Sequence, residues 1–374
     1  MGAEKVICMK IFKKFLAMLP MLAVGFACGL LIGQFAMRAG SIGAPGGMAG
    51  ALLLLFAGFV AALFLQVAVH EAGHLLFGLL TGYRFCSYRL GSLMLVRQKG
   101  RLTLKRLKIA GTGGQCLMAP PDWTEDLPVT LYNLGGCLLN LLVSGLALLL
   151  WLPLRHHWLS TPLLLCALCG LAMALTNGIP MRVGGVDNDG RNVLSLRKDP
   201  LARRAFWLQM KVCQAQSEGL RLREMPEDWF FRPETGMDNP LVAAQAVFCC
   251  NRLVDENRFS EARAAMETLL AQPGGMLGLH RSLLICDLLC CCLLEHDTAR
   301  ASDLLTREQR AFLRSMKTFP SVIRTDYAVA LLLERDADKA AAHLARFEKM
   351  APTYPYPQEI TSERELLSRL KALA

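Results

Sequence analysis

The strongest chemical signal in this chain is the stretch His70-Glu71-Ala72-Gly73-His74, which has the pattern His-Glu-x-x-His. On a helix, residues four apart lie on one face, so His70 and His74 can bind the same zinc ion. Glu71 lies next to the first histidine, where its carboxylate can take a proton from a zinc-bound water. Because the chain has only seven histidines, a chance match is roughly a one-in-a-few-hundred event. The pattern predicts a catalytic zinc centre, and the alternative is that the two histidines only form structural hydrogen bonds.

A catalytic zinc ion usually has three protein ligands and a water, so two histidines leave one ligand to be found. The segment 177–190 offers one, because it carries two carboxylates just after the last apolar stretch. Pro180 removes a backbone donor and helps to end the helix, and the glycines that follow let the chain turn back. Asp187 and Asp189 could each reach the metal, and oxygen is an acceptable zinc ligand.

The composition of the 374 residues indicates a membrane protein, since 53% are hydrophobic and only 19% are charged. The apolar residues concentrate in the first 180 positions, whereas the remainder is typical of a charged, helix-forming sequence. We therefore predict a membrane-embedded domain over residues 1–195 and a cytosolic α-helical domain over residues 196–374. Many of the residues behind the net charge of +10 flank apolar stretches, so nucleic acid is not expected as a partner.

Four apolar stretches are long enough to cross a bilayer. They cover about Phe15–Met37, Met48–Leu80, Leu134–Leu154 and Pro162–Ile179. A signal peptide is the alternative for the first, but the stretch is long for one and no clear cleavage site follows. Lys and Arg concentrate before the first stretch, between the second and third, and after the fourth, which places both termini of a multi-pass cell-membrane protein in the cytosol. His70 and His74 then lie in the cytosolic half of the second span, where ionisable groups usually mark function.

The basic segment between the second and third spans has the pattern of a β-hairpin. Arg101–Lys105 alternates polar and apolar residues, as a half-buried strand does, and an earlier run covers Tyr88–Val96. The sequence Gln98-Lys99-Gly100 supplies a turn. We predict a small hairpin at the membrane surface, which either caps the helices or offers an edge to an extended peptide.

At these residues the sequence resembles the site-2 protease family of intramembrane zinc metalloproteases. That family pairs a transmembrane helix containing His-Glu-x-x-His with a later Asn-x-x-Pro…Asp-Gly motif, whose aspartate is the third zinc ligand. The matching residues are His70, Glu71 and His74 for the first motif, and Asn177, Pro180 and Asp189-Gly190 for the second. The resemblance covers roughly residues 50–195, and only these two motifs are specific.

The second motif is longer here than in the family's shorter form. Eight residues separate Pro180 from Asp189, against four in that form, so the choice of ligand stays open. The resemblance favours Asp189 over Asp187. It also implies that Asn177 positions substrate backbone, although the same residue could cap the end of a helix.

A further resemblance lies in the third apolar stretch, because the family often has Gly-x-x-x-Asn in the helix beside the active site. Gly135, Gly136 and Asn140 match this element as supporting residues. Close packing of membrane helices explains the two glycines as well, and Asn140 could simply hydrogen-bond a neighbour.

The resemblance implies an all-α polytopic membrane protein with a Zn2+ cofactor that hydrolyses peptide bonds of membrane-embedded or juxtamembrane substrates. Glu71 would act as general base on a zinc-bound water and then as proton donor to the leaving amine. The partners would be the lipid bilayer and a membrane protein or peptide substrate. The alternative is a catalytically inactive membrane scaffold that binds partners through its C-terminal helical domain. A transporter is disfavoured, because the four spans show no internal repeat.

The C-terminal half contains three similar stretches, each after an apolar helical run. They begin at Asn257, His296 and Arg335, and their alanines Ala262, Ala299 and Ala340 recur at intervals of 37 and 41 residues. Helix-pair repeats of tetratricopeptide type run near 34 residues, so the spacing suggests irregular repeats of that kind, with a plain helical bundle as the alternative. Such a domain could bind a protein partner, present substrate or restrain the enzyme.

Overall fold

The computed structural model describes residues 25–27, 29–30, 33–34, 47–109, 112–154, 160–183, 186–272 and 274–374. It is mostly helical and includes a small antiparallel sheet. The chain divides into two compact units: residues up to Thr81 group with Pro128–Ser195, and Gly82–Leu127 groups with Leu196–Ala374. The segment of the predicted hairpin therefore belongs with the C-terminal helices, whereas the sequence alone placed it in the membrane domain.

The first unit contains three apolar helices, α1 (Gly47–Leu80), α2 (Val129–Leu154) and α3 (Thr161–Gly178). Among the described residues, these three helices are long and apolar enough to cross a membrane. In α1, the part that meets this criterion is Leu52–Leu80. The 29 residues of that part of α1 extend about 44 Å, against about 30 Å for the hydrocarbon core. The unit is thus compatible with a membrane protein.

The three helices coincide with the second, third and fourth predicted spans. The first predicted span, about Phe15–Met37, lies mostly outside the described residues. The expectations of four spans and of cytosolic termini therefore stay predictions.

Polar side chains in these helices lie inside the unit and apolar ones outside. Phe64 and Leu149 are 64% and 66% exposed, whereas Gln66, His70 and Asn140 are buried. A soluble protein normally shows the opposite distribution, because exposed apolar surface is unfavourable in water. Ionisable residues that face the interior of a helix bundle are what a lipid environment favours.

The predicted hairpin is part of a four-stranded antiparallel sheet in the second unit. Its strands are β1 (Arg84–Leu90), β2 (Leu93–Gln98), β3 (Arg101–Arg106) and β4 (Gly114–Ala119), in the order β3-β2-β1-β4. Lys99 and Gly100 connect β2 to β3, both with positive φ, as a two-residue type I′ turn requires. The prediction of a small sheet is confirmed, but the run Tyr88–Val96 is not a single strand, since β1 turns at Gly91, which has a positive φ of 57°, before β2 begins.

Helices make up the rest of the second unit. Their bounds are α4 (Asp189–Lys198, in which the division between the units falls), α5 (Pro200–Glu218), α6 (Pro240–Asp255), α7 (Phe259–Ala271), α8 (Gly278–Leu294), α9 (Thr298–Leu304), α10 (Arg307–Ser315), α11 (Pro320–Ala328, continued by a π-helical turn over Val329–Leu333), α12 (Ala337–Met350) and α13 (Pro357–Lys371). The buried side of β2, Met94 and Val96, packs into the same core as these helices. The sheet and the helices therefore share one hydrophobic core.

Three connections between these helices have the same conformation. Asn257, His296 and Arg335 each have a positive φ, of 61°, 63° and 53°, and they lie 39 residues apart. Each follows a glutamate and precedes the next helix by two residues. A residue with positive φ directly after a helix is the usual way to end it before a tight turn. The three helical hairpins α6–α7, α8–α9 and α11–α12 therefore form a regular internal repeat.

The positive-φ residues align the three repeats differently from the alanine spacing in the sequence. Ala262, Ala301 and Ala340 are the equivalent residues, since each lies five positions after the positive-φ residue and is at most 2% exposed. Ala299, which the sequence comparison aligned with them, is exposed. The intervals of 37 and 41 residues are thus wrong as a repeat length, which is 39 in both cases. Membership of the tetratricopeptide class stays a prediction.

Candidate metal centre

The ligand atoms of the His-Glu-x-x-His motif converge in the interior of the first unit. One turn of α1 separates His70 from His74, and their Nε2 atoms are 3.2 Å apart. The Oδ2 atom of Asp189 lies 3.0 Å from Nε2 of His70 and 3.6 Å from Nε2 of His74. Among the described residues, these three form the group that could hold a metal ion.

The distances fit a tetrahedral site. Ligand atoms that bind a zinc ion at about 2.0–2.1 Å lie about 3.3 Å from one another. The three separations observed here, 3.0, 3.2 and 3.6 Å, bracket that value. Two imidazoles and one carboxylate also leave a fourth position for water or substrate, as catalytic zinc sites do.

Hydrogen bonds at Nδ1 turn both imidazoles toward the centre. The Nδ1 atom of His70 lies 2.8 Å from Oδ1 of Asn140, and Nδ1 of His74 lies 2.8 Å from the backbone carbonyl of Tyr132. Both partners accept, so each Nδ1 carries the proton and each Nε2 presents a lone pair. Three electron-rich atoms, including Oδ2 of Asp189, thus meet in a buried space, an arrangement that a cation stabilises.

Gln66, one turn before His70, extends this network and was missed from the sequence. Its Oε1 and backbone carbonyl accept hydrogen bonds from Nδ2 of Asn140 at 2.7 and 3.0 Å. Its own Nε2 donates to the carbonyl of Cys166 on α3 at 2.8 Å. Gln66 and Asn140 are both fully buried. The amide of Asn140 therefore has one orientation available, which points Oδ1 at His70.

A clamp at the end of α3 places the third candidate ligand. Nδ2 of Asn188 donates to the carbonyls of Thr176 and Ile179 at 2.7 and 2.6 Å. Its Oδ1 accepts from the backbone N–H groups of Met181 and Arg191 at 2.9 and 3.0 Å. All the hydrogen-bonding capacity of one side chain is thus used to fold the chain back onto the helix end, and the next residue projects its carboxylate toward the histidines.

Asp187 and Asp189 have different partners. The carboxylate of Asp187 accepts hydrogen bonds from Arg182 at 2.5 and 3.0 Å, and Arg191 lies 3.2 Å from it. The carboxylate of Asp189 lies beside the two histidines instead. Of the two aspartates, Asp189 is the one that the structure brings to His70 and His74.

Glycines permit the close approach of α1 and α2. A Cβ atom on Gly135 would lie 2.5 Å from the carbonyl oxygen of Gly73, and one on Gly136 would lie 2.5–2.7 Å from the ring of His70. In the same way, a Cβ on Gly190 would collide with the carbonyl of Gly178. These glycines are therefore needed for the positions of the ligands, in addition to bringing the helices together.

The remaining predicted residues lie near the centre without joining the cluster of three. Glu71 is buried next to His70, at 9% exposure. Asn177 donates a hydrogen bond to the carbonyl of Met173 within α3. Pro180 follows the last turn of that helix.

No family model matches this chain, and neither the curated proteins nor the solved structures include a match. The centre consists of two imidazoles and one partly buried carboxylate, held by neighbouring amides and carbonyls, with a glutamate beside the first histidine.

Proposed function

We propose that this chain is an intramembrane zinc metalloprotease that hydrolyses peptide bonds of membrane-embedded or juxtamembrane substrates, as the resemblance to the site-2 protease family suggests. The observation that supports this most is the convergence of His70, His74 and Asp189 inside a group of apolar helices. Ionisable groups are costly in such surroundings, so their clustering favours a functional site over a chance match.

Different residues would bind the metal and transfer the proton. His70, His74 and Asp189 would hold the metal, and the acceptors at each Nδ1 would keep both rings in the tautomer that binds it. When bound, a zinc ion would polarise the scissile carbonyl and acidify the attacking water. The carboxylate of Glu71 would accept the proton of that water and deliver it to the leaving amine.

Metal content tests the first half of the proposal. The purified full chain should contain about one zinc ion per molecule, because the donor set is complete. Asp189→Ala should lose most of it, whereas Asp187→Ala should retain it, since Asp187 pairs with Arg182 and Arg191 instead. A chain without zinc, or equal loss in both variants, would contradict the assignment of the ligands.

Cleavage tests the second half. Cells that produce the wild-type chain should contain truncated membrane peptides that are absent with Glu71→Gln, and mass spectrometry of membrane fractions compares the two. The matched control is Glu125→Gln, which changes an exposed glutamate outside the apolar helices. Glu71→Gln should keep its zinc, so that loss of cleavage reports on the base alone. A zinc-containing wild type with the same membrane peptides as Glu71→Gln would favour the inactive scaffold.

A further inference from the structure

The second unit contains a cavity of about 340 Å3 that we call the basic cavity. Sites for small molecules begin at about this size. Three exposed cationic side chains line it: Arg84 at the start of β1, Arg97 near the end of β2, and Lys99 in the turn that follows. Among the described residues, none of the three takes part in an ion pair. The cavity therefore presents three cations that a ligand can reach.

The opposing charge in the basic cavity is smaller. Among the described residues of its wall, Glu218 is the one carboxylate, and its Oε1 accepts a hydrogen bond from Nε2 of Gln214 at 2.9 Å. Glu218 is the last residue of α5, and the carboxyl end of that helix adds a partial negative charge of about half a unit. An excess of more than one positive charge remains, which favours an anion as the ligand.

The chain segment that forms the sheet carries the same sign of charge. Residues 82–121 contain eight lysines and arginines and no aspartate or glutamate. Arg84 follows Leu80, the last residue of α1, by four positions in the chain. Basic clusters directly beside a membrane span attract the headgroups of anionic lipids. The three cations thus belong to a segment of the kind that binds phosphate-bearing lipids.

One side of the β2–β3 hairpin is apolar and exposed. The register of the two strands places four leucines and Arg97 on this side of the sheet, opposite the side that carries Met94 and Val96. The four leucines, which we call the leucine face, are between 36% and 68% exposed: Leu93, Leu95, Leu102 and Leu104. A contiguous apolar patch on a surface commonly marks a contact with a protein or a membrane. Because Arg97 also lines the basic cavity, the two features adjoin.

We propose that the basic cavity binds the phosphate group of an anionic lipid whose acyl chains contact the leucine face. Guanidinium groups donate paired hydrogen bonds to phosphate oxygens, so Arg84 and Arg97 suit this headgroup. The leucine face favours a lipid over free phosphate or a phosphorylated peptide, because it offers apolar surface beside the charge. The proposal does not depend on the protease activity, since none of these residues belongs to the metal centre.

Native mass spectrometry of the purified full chain in a nonionic detergent tests the proposal. Phosphatidylglycerol should bind at least about fivefold more tightly than phosphatidylcholine with the same acyl chains, since the choline cation cancels the charge of the phosphate. Glycerol phosphate and a blocked phosphoserine pentapeptide should both bind more weakly than phosphatidylglycerol. Equal affinity for the two lipids would overturn the proposal, and so would a soluble phosphate that binds as tightly as phosphatidylglycerol.

Two pairs of substitutions assign the lipid to the cavity. Arg84→Gln combined with Arg97→Gln removes two of the three cations, so it should weaken the binding of phosphatidylglycerol at least about tenfold. The matched control is Arg307→Gln combined with Arg314→Gln, which changes two exposed arginines on α10 and should bind as the wild type does. Unchanged affinity in the cavity pair, or an equal loss in the control pair, would refute the assignment.

Leu102→Ser combined with Leu104→Ser tests the leucine face. Both side chains are exposed, so the fold should tolerate the change. The binding of phosphatidylglycerol should weaken at least about fivefold, because apolar contact is lost, whereas the binding of glycerol phosphate should stay the same. Lipid binding equal to that of the wild type would overturn the contact between the acyl chains and this face.

Discussion

At the residue scale, the candidate metal centre depends on side chains that are not ligands. Gln66, Asn140 and His70 form a buried chain of hydrogen bonds of 2.7 and 2.8 Å that begins at the carbonyl of Cys166. Each amide uses both its donor and its acceptor, so the chain has a direction, and at its end Oδ1 of Asn140 accepts from Nδ1–H of His70. Partners of this kind orient a metal-binding imidazole and raise its basicity.

Gln66→Leu tests this chain. The change removes one of the two acceptors of Nδ2 of Asn140 and leaves the backbone carbonyl of residue 66. The amide of Asn140 is then held less firmly with Oδ1 toward His70, so zinc affinity should fall, by up to about tenfold. Competition with a chelator measures the affinity, and the cobalt spectrum of the substituted protein reports the ligand geometry. The control is Thr176→Val, which removes only a hydrogen bond inside α3. An affinity equal to that of Thr176→Val would show that Gln66 has no positioning role.

At the element scale, the crossing of α1 and α2 decides where the histidines lie. The helices approach so closely at Gly73 and Gly135 that either added Cβ would meet backbone atoms of the other helix. The next residue, Gly136, faces the ring of His70 instead. The backbone contact therefore sets the distance between the helices, and the space at Gly136 admits the ring.

Gly136→Ala should displace His70, because its new Cβ would lie 2.5–2.7 Å from three atoms of the ring. We expect loss of most bound zinc, measured by metal analysis of the purified chain. Gly145→Ala is the matched control on the same helix, since a Cβ there meets nothing within 4 Å. It should keep its zinc and its thermal stability. Full zinc content in Gly136→Ala would mean that the His70 ring can bind the metal from a different position.

At the scale of the whole molecule, both units enclose ionisable side chains, in different groupings. The first unit gathers two histidines and one aspartate among apolar helices. The second encloses five carboxylates with two guanidinium groups. Burial, with smaller contributions from the neighbouring Glu363 and Asp287, raises the pKa of Glu359 to about 8 against the opposing effects of the Tyr354 hydroxyl and Arg324.

This shift predicts a pH dependence of stability. A carboxyl whose pKa is higher in the folded state binds more protons there than in the unfolded chain, so the free energy of unfolding decreases as pH rises. The contribution of Glu359 is fully present below about 4.5, its ordinary value, and is lost as the pH passes through about 8. Denaturant unfolding at pH 5 to 9, followed by tryptophan fluorescence, measures it.

Glu359→Gln should reduce this slope, because the amide does not titrate. Glu308→Gln, which lies on the surface, should unfold with the slope of the wild type. The same slope in Glu359→Gln and the wild type would show that another group is responsible.

The sequence by itself determined the local features of this protein. Hydropathy over runs of about twenty residues predicted three helices that the structure contains, and the four-residue spacing in His70–His74 predicted that both rings share a face. The hairpin at Lys99-Gly100 was also predictable, because Gly100 is a turn residue and the stretch after it alternates polar and apolar residues. In each case the signal and the structure extend over the same short stretch of chain.

Only the tertiary structure decided which distant residues meet. Gln66 and Cys166 are 100 positions apart, and Arg221 and Glu365 are 144 apart, so no local pattern relates them. The choice between Asp187 and Asp189 as the third ligand also required the tertiary structure. Two arginines lie beside Asp187, whereas the two histidines lie beside Asp189. Spacing along the chain determines what a helix presents on one face, whereas partners across helices are set by packing, which sequence periodicity does not encode.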